Sequence, residues 1–328
     1  MNLKHNPTSK SSKLRVGITM GDPSGIGAGL ILKALPKLKN LADFVIIADG
    51  WVLNKIKAFG SGLPTFRLVD LNNVRRDNFS FGKVKAEYGR ASIEYLDKAL
   101  ELVKDKAIDC LVTCPVSKEA VSLAGFKFRG HTEYLAKQTH TKDFVMLLLN
   151  KDLRIGLVTR HIPLKDVPLK INKEKILKTI FLTHKGIKEM FALTSPRMVV
   201  CGLNPHASDN GLIGGEENRH IKPVIQKLRR RLRMKLDGPL PADVAIYKAT
   251  RNEYDCVIAM YHDQALIPLK LYGSDTGVNM TLGLPFVRTS PLHGTAFDIA
   301  RNPDLANPNS LIEAIRLAVK CTINQKKD

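Results

Sequence analysis

Residues 256–262 read Cys-Val-Ile-Ala-Met-Tyr-His, a short apolar run that ends in a histidine. The same pattern occurs twice more, as Ile-Gly-Leu-Val-Thr-Arg-His at residues 155–161 and as Val-Val-Cys-Gly-Leu-Asn-Pro-His at residues 199–206. Short apolar runs rich in β-branched residues are typical of buried strands in parallel sheets. The pattern therefore predicts an α/β fold in which each histidine follows the carboxyl end of a strand.

These three histidines, His161, His206 and His262, are the first candidates for a functional site. Open α/β sheets bind their ligands at the carboxyl ends of strands. Three neutral imidazoles at that edge indicate a divalent metal site with open coordination positions, which metal-assisted catalysis requires. The alternative is that each ring only forms a hydrogen bond with nearby backbone. The repetition of an uncommon residue in one setting favours the shared site.

Strand and helix patterns alternate along the rest of the chain. Strands are predicted at Arg15–Thr19, Phe44–Ala48, Phe66–Val69 and Cys110–Cys114, and the apolar stripe of Glu87–Asp105 predicts an amphipathic helix. The alternation favours largely parallel strands. No internal repeat or low-complexity linker marks a domain boundary in the composition.

A glycine-rich turn, Gly-Asp-Pro-Ser-Gly-Ile-Gly at residues 21–27, joins the first strand to a helix. Such a turn can hold a phosphate through its backbone N–H groups, or it can need small residues only because it is tight. It matches neither the dinucleotide-binding Gly-x-Gly-x-x-Gly pattern nor a Walker loop. Both interpretations stay open from these residues alone.

The length of 328 residues suits two α/β domains that share a cleft. No apolar stretch approaches the roughly 18 residues of a membrane span, and the amino terminus does not resemble a secretory signal. Five cysteines without a Cys-x-x-Cys pair indicate reduced thiols in the core. We therefore expect a cytoplasmic protein.

The net charge of +20 raises the alternative of a nucleic-acid-binding protein. The lysines, however, are scattered along the chain, and only Arg229–Lys235 is a dense basic run. This run extends a helix-like stretch and has no aromatic residues among its cations, so it indicates a solvated helix face. A positive field also suits a small anionic substrate and an anionic cofactor, without nucleic acid.

Two polar segments carry further candidates. His131 and Thr132 open a predicted helix, where they can hold an anion or, in the case of Thr132, cap the helix. Residues 261–270 form a turn-rich polar stretch. There Asp263 is a candidate to ligate a metal or to orient His262, and Lys270 is a candidate to pair with a phosphate.

The carboxyl-terminal half adds three more candidates. Asp243 is expected to project from a rigid Gly-Pro-Leu-Pro loop near the strand that precedes the last histidine. Asn279 and Arg288 can reach an anionic substrate, because the arginine fork fits carboxylate or phosphate. The small residues near 293–296 are expected to precede a helix and to allow close approach of a nucleotide.

Five motifs follow one another in the order and spacing of a known family: Gly21–Gly27, Gly130–Glu133, Gly202–Ala207, Tyr261–Gln264 and Arg288–Ala296. Together they resemble the 4-hydroxythreonine-4-phosphate dehydrogenases of vitamin B6 biosynthesis, from Val16 to Ala300. That family is similar in fold to the isocitrate and isopropylmalate dehydrogenases and does not use a Gly-x-Gly-x-x-Gly turn.

The resemblance implies two α/β domains with mostly parallel sheets that flank a central cleft. We expect a flexible tail at residues 1–13, a first domain at 14–128 plus 276–328, and a second domain at 129–275. It also implies a homodimer whose active site lies at the subunit interface, with one metal-binding histidine supplied by the partner. No membrane partner is expected.

The resemblance also assigns residue roles. The metal ligands would be His161, His206 and His262. The substrate would be bound by His131, Thr132, Lys270, Asn279 and Arg288. The cofactor would be bound by His293, Gly294, Thr295 and Ala296. The catalytic candidates are Asp243, Asp263 and Lys270. The chain departs from the family at several positions, among them Leu292, where the family usually has Asp, and Ser117, where it usually has Asn.

The implied reaction is the oxidation of 4-phosphooxy-threonine with NAD or NADP and a divalent metal (Zn²⁺, Mg²⁺, Co²⁺ or Mn²⁺), followed by loss of CO₂. A second possibility is a dehydrogenase of another four-carbon 4-phosphate, such as a threonate or erythronate. Acyl transfer to phosphate on a related fold is a further alternative, but it does not require three histidines.

Overall fold

The structure is a computed structural model that describes residues 13–56, 66–127, 130–273 and 275–327. The expected tail lies outside these ranges, apart from Lys13. The strands are β1 (Arg15–Thr19), β2 (Asp43–Ala48), β3 (Phe66–Asp70), β4 (Cys110–Thr113), β5 (Val145–Asn150), β6 (Leu153–Leu157), β7 (Arg197–Cys201), β8 (Lys235–Leu240), β9 (Cys256–Ala259), β10 (Val278–Leu282) and β11 (Arg288–Pro291).

The α-helices are α1 (Gly27–Ala34), α2 (Gly50–Ile56), α3 (Ala86–Lys104), α4 (Lys118–Leu123), α5 (His131–Gln138), α6 (Val167–Lys170), α7 (Lys173–Phe191), α8 (Lys222–Leu232), α9 (Ala242–Thr250), α10 (His262–Tyr272) and α11 (Asn309–Gln325). Short 3₁₀ segments lie at Leu35–Leu38, Leu164–Asp166, Pro205–Gly211 and Pro303–Leu305, and a π-helical turn lies at Glu217–Ile221.

The strands form one sheet in the order β3-β2-β1-β4-β11-β10-β5-β6-β9-β7-β8. Of the ten pairings among the described strands, seven are parallel, and the three antiparallel ones join β11, β10, β5 and β6. Every residue of β4 and β9 is buried, as parallel strands covered on both faces require. The predicted α/β fold with mostly parallel strands is thus confirmed.

The three strands that precede the histidines are neighbours in this sheet. β9 lies between β6 and β7 and is parallel to both. The carboxyl ends of the three strands therefore meet at one edge of the sheet, as the sequence predicted. Cys201 and the other four cysteines are all buried and unpaired.

The sheet is continuous across the expected domain boundary. β1, β2, β3, β4, β10 and β11 come from the first predicted domain and lie on one side, whereas β5 to β9 come from the second and lie on the other. The two sets meet where β10 pairs with β5 at five positions, from Val278 opposite Leu149 to Leu282 opposite Val145. The division into two domains stays a prediction.

Several local predictions were wrong. Residues 262–270 belong to α10 rather than to a turn-rich stretch, because polar residues at its first turn suit a helix start. Asp243 lies in the first turn of α9, after β8, and not in a loop. Gly130 takes the N-cap position of α5, so Thr132 does not cap it. Turns, and no helix, directly follow Ala296.

The first four residues of the dense basic run end α8, as predicted, and Arg229, Arg230 and Arg231 are exposed; the run then continues to Lys235, the first residue of β8. Arg229 forms an ion pair with Asp237 at 2.7 Å. The run is therefore a solvated helix end. Among the described residues, none of the helices combines the length and the apolar character that a membrane crossing needs.

Candidate active site

A cleft of about 270 Å³ lies over the central strands, between the start of α5 and the start of α10. Its lining residues are Pro115, Val116, Lys118, Gly130, His131, Thr132, Glu133, Met146, Leu148, His161, His262, Leu266, Asn279, Arg288, Ser290, Pro291, Leu292, His293 and Gly294. Eight of the predicted site residues are in this set: His131, Thr132, His161, His262, Asn279, Arg288, His293 and Gly294. We refer to this space as the active-site cleft.

The floor of the active-site cleft is a row of residues on adjacent antiparallel strands. Asn279 of β10 lies opposite Leu148 of β5 on one side and opposite Ser290 of β11 on the other. Residues in register on neighbouring strands project from the same face, so all three side chains reach the cleft. The Oδ1 atom of Asn279 is buried and has no hydrogen-bond partner among the described residues.

Arg288 is the buried charge of the cleft, with 1% of its surface exposed. Its Nη2 donates to Thr113 Oγ1 at 2.6 Å, and its Nη1 donates to Thr281 Oγ1 at 3.1 Å and to Thr132 Oγ1 at 3.3 Å. Its Nε has no partner among the described residues. Burial lowers the pKa of Arg288 to about 10, and the guanidinium stays protonated at neutral pH.

His131, the first residue of α5, is held as a neutral ring. Its Nε2 lies 3.1 Å from the carbonyl oxygen of Cys114, which can only accept, so Nε2 carries the proton and Nδ1 is an acceptor. Burial and the charge of Arg288 lower the pKa of His131 to about 3. The ring therefore offers a substrate one hydrogen-bond acceptor, Nδ1, without adding positive charge.

The lowered pKa of His131 makes the protein sensitive to acid. Between its ordinary value of 6.5 and about 3, the unfolded chain binds a proton that the folded chain refuses, so stability falls as the pH falls. We expect His131→Gln to lose less stability than the wild type between about pH 7.5 and about pH 5. Urea unfolding at the two pH values measures this; identical losses would contradict it.

His161 and His262 approach each other at one end of the cleft, where their ring centroids are 5.6 Å apart. Asp263 Oδ1 lies 2.7 Å from His262 Nδ1. This contact occupies Nδ1, so Nε2, on the opposite side of the ring, faces away from the carboxylate of Asp263. Partial burial, then the charge of Lys118, lowers the pKa of His161. The sequence-based hypothesis that Asp263 orients His262 agrees with this contact.

His206 is exposed and does not line the cleft of the same chain. It begins a run of five non-glycine residues in the left-handed region, from φ 52° at His206 to φ 58° at Asn210. Among the described residues, no three His, Cys, Asp or Glu side chains come together as a possible metal site. One chain therefore brings two of the three predicted ligands together.

Other predicted residues lie outside the cleft lining. Lys270 is exposed on α10, and Asp243 is exposed on α9. Thr295 packs against the glycine-rich turn, where its carbonyl oxygen accepts the N–H of Ile26 at 3.1 Å. The turn and the segment of residues 293–296 are thus neighbours.

Sequence reasoning missed two charged residues of the cleft, Lys118 and Glu133. Glu133 lies 3.8 Å from the Nε of Arg160. Both residues lie in the first turn of a helix, Lys118 in α4 and Glu133 in α5, which is the kind of position that had singled out His131. The same argument, applied to every charged residue at a helix start, would have found them.

A family model described as pyridoxal phosphate biosynthetic protein PdxA matches residues 38–318. The chain belongs to the PdxA family. This confirms the resemblance drawn from the five motifs. It also makes the chain an oxidoreductase, because curated PdxA relatives are named as dehydrogenases.

Two PdxA relatives and one solved structure show the extent of the match. A 4-hydroxythreonine-4-phosphate dehydrogenase of Sulfurihydrogenibium sp. (strain YO3AOP1) is 42% identical over 93% of this chain and 98% of its own. A D-threonate 4-phosphate dehydrogenase of Cupriavidus necator is 41% identical over 92% and 95%. The structure of a 4-hydroxythreonine-4-phosphate dehydrogenase from Klebsiella pneumoniae has 34% identity and a TM-score of 0.82, covering 97% of this chain and 100% of that one.

Proposed function

We propose that the protein oxidises 4-phosphooxy-L-threonine to 2-amino-3-oxo-4-phosphooxybutanoate with NAD or NADP and a divalent metal, in the biosynthesis of pyridoxal phosphate. The product then decarboxylates to 3-amino-2-oxopropyl phosphate. The observation that supports this most is the pairing, in one cleft, of a buried arginine fork with two adjacent imidazoles. The first suits an anionic substrate group, and the second suits a metal.

The phosphate of the substrate is proposed to bind near Arg288. Within the described residues, no carboxylate lies within 4 Å of this guanidinium; its partners are the neutral hydroxyls of Thr113, Thr132 and Thr281. A buried charge that has no direct ion pair gains strongly from an incoming anion. Thr132 and His131 lie at the amino terminus of α5, whose unpaired N–H groups also favour an anion.

The donor set fits a divalent metal at the His161–His262 pair. With metal–nitrogen bonds of about 2 Å and tetrahedral angles, two imidazoles on one ion have centroids roughly 5 Å apart, close to the observed separation. Asp263 fixes the tautomer of His262, as carboxylates behind metal-binding histidines do. When bound, the metal would polarise the hydroxyl that is oxidised and lower its pKa.

The nicotinamide cofactor is proposed to bind at residues 293–296. His293 and Gly294 line the cleft, and a Cβ added at Gly294 would meet no atom within 4 Å. This open surface permits close approach of a cofactor backbone. The neighbouring glycine-rich turn supports the loop from behind through Ile26. The catalytic candidates Asp243, Asp263 and Lys270 are proposed as bases that take the proton of the oxidised hydroxyl. None of the three is in the cleft lining, but Asp263 contacts His262, which is.

We propose that the protein is a homodimer in which the partner supplies the third histidine. Large apolar side chains are exposed in the segments that follow each of the three histidines. Leu169 lies beyond His161, Leu212 is 89% exposed beyond His206, and Leu271 is 84% exposed on the helix that His262 begins. Exposed apolar side chains of this size gain stability when a partner chain covers them. A partner across this surface would bring a second copy of the His206 loop towards the cleft.

A second candidate is the oxidation of D-threonate 4-phosphate. A relative named D-threonate 4-phosphate dehydrogenase is 41% identical to this chain, and a relative named 4-hydroxythreonine-4-phosphate dehydrogenase is 42% identical. The two substrates share the phosphate and the oxidised hydroxyl and differ at C2, as ammonium or hydroxyl. Glu133 is the carboxylate of the cleft lining, and it suits an ammonium. This favours the amino-acid substrate.

The decisive experiment is reduction of NAD and of NADP by purified protein with each 4-phosphate, with and without chelator. We expect turnover of 4-phosphooxy-L-threonine that chelator abolishes and added divalent metal restores. Analytical ultracentrifugation should give the active species twice the mass of one chain, which is 36.4 kDa. Preference for threonate 4-phosphate would select the second candidate. Activity that is unaffected by chelator, or that belongs to a monomer, would contradict the proposal.

A further inference from the structure

Gln264 lies in the first turn of α10, two residues after His262. Its side chain is buried, with 9% of its surface exposed. Its Oε1 accepts the backbone N–H of Met260 at 2.6 Å, and its Nε2 donates to the carbonyl oxygen of Gly202 at 2.8 Å. One amide thus joins the segment before His262 to the segment before His206.

Met260 also joins the third histidine segment. Its carbonyl oxygen accepts the backbone N–H of Thr159 at 3.1 Å and the hydroxyl of Thr159 at 2.7 Å. Hydrogen bonds therefore run without interruption from Thr159 through Met260 and Gln264 to Gly202. Each end of this chain of bonds lies a few residues before a proposed metal-binding histidine.

The His206 segment needs such support because its backbone is strained. Left-handed backbone is unfavourable at non-glycine residues, because the Cβ atom approaches the following carbonyl oxygen, and five such residues follow one another from His206. The buried carboxylate of Glu217 accepts the N–H groups of Leu203 and Asn204, both at 2.8 Å, and so holds the loop from its other side. Glu217 fixes the loop internally, whereas Gln264 fixes it relative to the other two segments.

We propose that Gln264 is a positioning residue that fixes the three histidine-bearing segments of one chain relative to one another. These segments carry His161 and His262 of that chain's own metal site and the His206 loop that the proposed dimer lends to the partner's site. This rests on the proposed function, because it takes the histidines to be metal ligands. An amide suits this role because Gly202 offers an acceptor and Met260 a donor, and a glutamine side chain satisfies both at once. Groups behind metal ligands commonly alter metal affinity by 10–100-fold.

The test uses the full-length protein stripped of metal and titrated with Co²⁺, whose visible absorption reports ligand geometry. Gln264→Met keeps the length of the side chain and removes both hydrogen bonds. We expect its Co²⁺ affinity to fall about 10-fold or more, with altered absorption bands. The expected kinetic change is a lower kcat with an unchanged KM for the nicotinamide cofactor. Gln226→Met, at an exposed position on α8, is the matched control and should match the wild type.

Gln264→Asn is the second variant, for the case in which the methionine variant does not fold. Its amide is one methylene too short to reach both backbone groups, so the loss of Co²⁺ affinity should persist. If a folded Gln264 variant has the Co²⁺ affinity and absorption of the wild type, the inference about Gln264 is wrong, while the proposed function is unaffected. Failure of the wild-type protein to bind Co²⁺ would remove the proposed metal site and this inference with it.

Discussion

Replacing His262 with alanine should reduce the dehydrogenase activity by about 10³-fold or more and should remove the bound metal. The metal is expected to supply several kcal/mol to the reaction, and each 1.4 kcal/mol corresponds to about a tenfold change in rate. The ring centroids of His262 and His161 are 5.6 Å apart, so the substitution removes one of the two imidazoles of the proposed metal site. Steady-state kinetics and metal analysis of the same preparation measure both effects.

His184→Ala is the control, because His184 lies on α7 away from the cleft lining and should keep both activity and metal. His206→Ala should behave like His262→Ala, although His206 lies outside the cleft of its own chain. That result would support a ligand from the partner. An active, metal-loaded His262→Ala protein would refute the ligand assignment.

Replacing Arg288 with lysine should raise the KM for the phosphorylated substrate by about 10- to 100-fold. Lysine keeps the charge but loses the planar fork, and a hydrogen bond to a charged group contributes about 1.5–3 kcal/mol. The KM for the nicotinamide cofactor should change far less, because the cofactor is proposed to bind at residues 293–296 and not at Arg288. Initial rates with each substrate varied in turn give both constants.

Arg197→Lys is the matched control, since Arg197 is an exposed arginine that pairs with Asp255 at 3.1 Å. It should leave both KM values unchanged. Arg288→Lys also removes donors from three buried threonine hydroxyls, so thermal unfolding should be measured alongside. Equal increases in the two KM values, in a folded protein, would count against phosphate binding by Arg288.

The strands were predictable because burial on both faces requires continuous apolar runs. Cys110–Thr113 and Cys256–Ala259 are of this kind, and both lie where the sequence placed them. The helix that begins at His262 was missed, because its first turn is polar and it contains Pro268, two features that also occur in loops. Helix starts with such composition are not distinguishable from turns without the neighbouring strand.

The candidate site was predictable in its residue types and not in its geometry. His161 and His262 come together because β6 and β9 are adjacent, and strand order is not written in local sequence. The surroundings of Arg288 include Thr113 and Thr132, which are far away in the chain, as well as the nearby Thr281. The role of Gln264 was invisible for a similar reason, since it depends on a backbone carbonyl of Gly202, far away in the chain.

The ladder between β10 and β5 has a mechanical consequence. Because its five paired positions run beneath the active-site cleft, the two halves of the molecule cannot separate without breaking backbone hydrogen bonds between these strands. We expect a rigid platform, on which substrate enters and product leaves through displacement of rim segments.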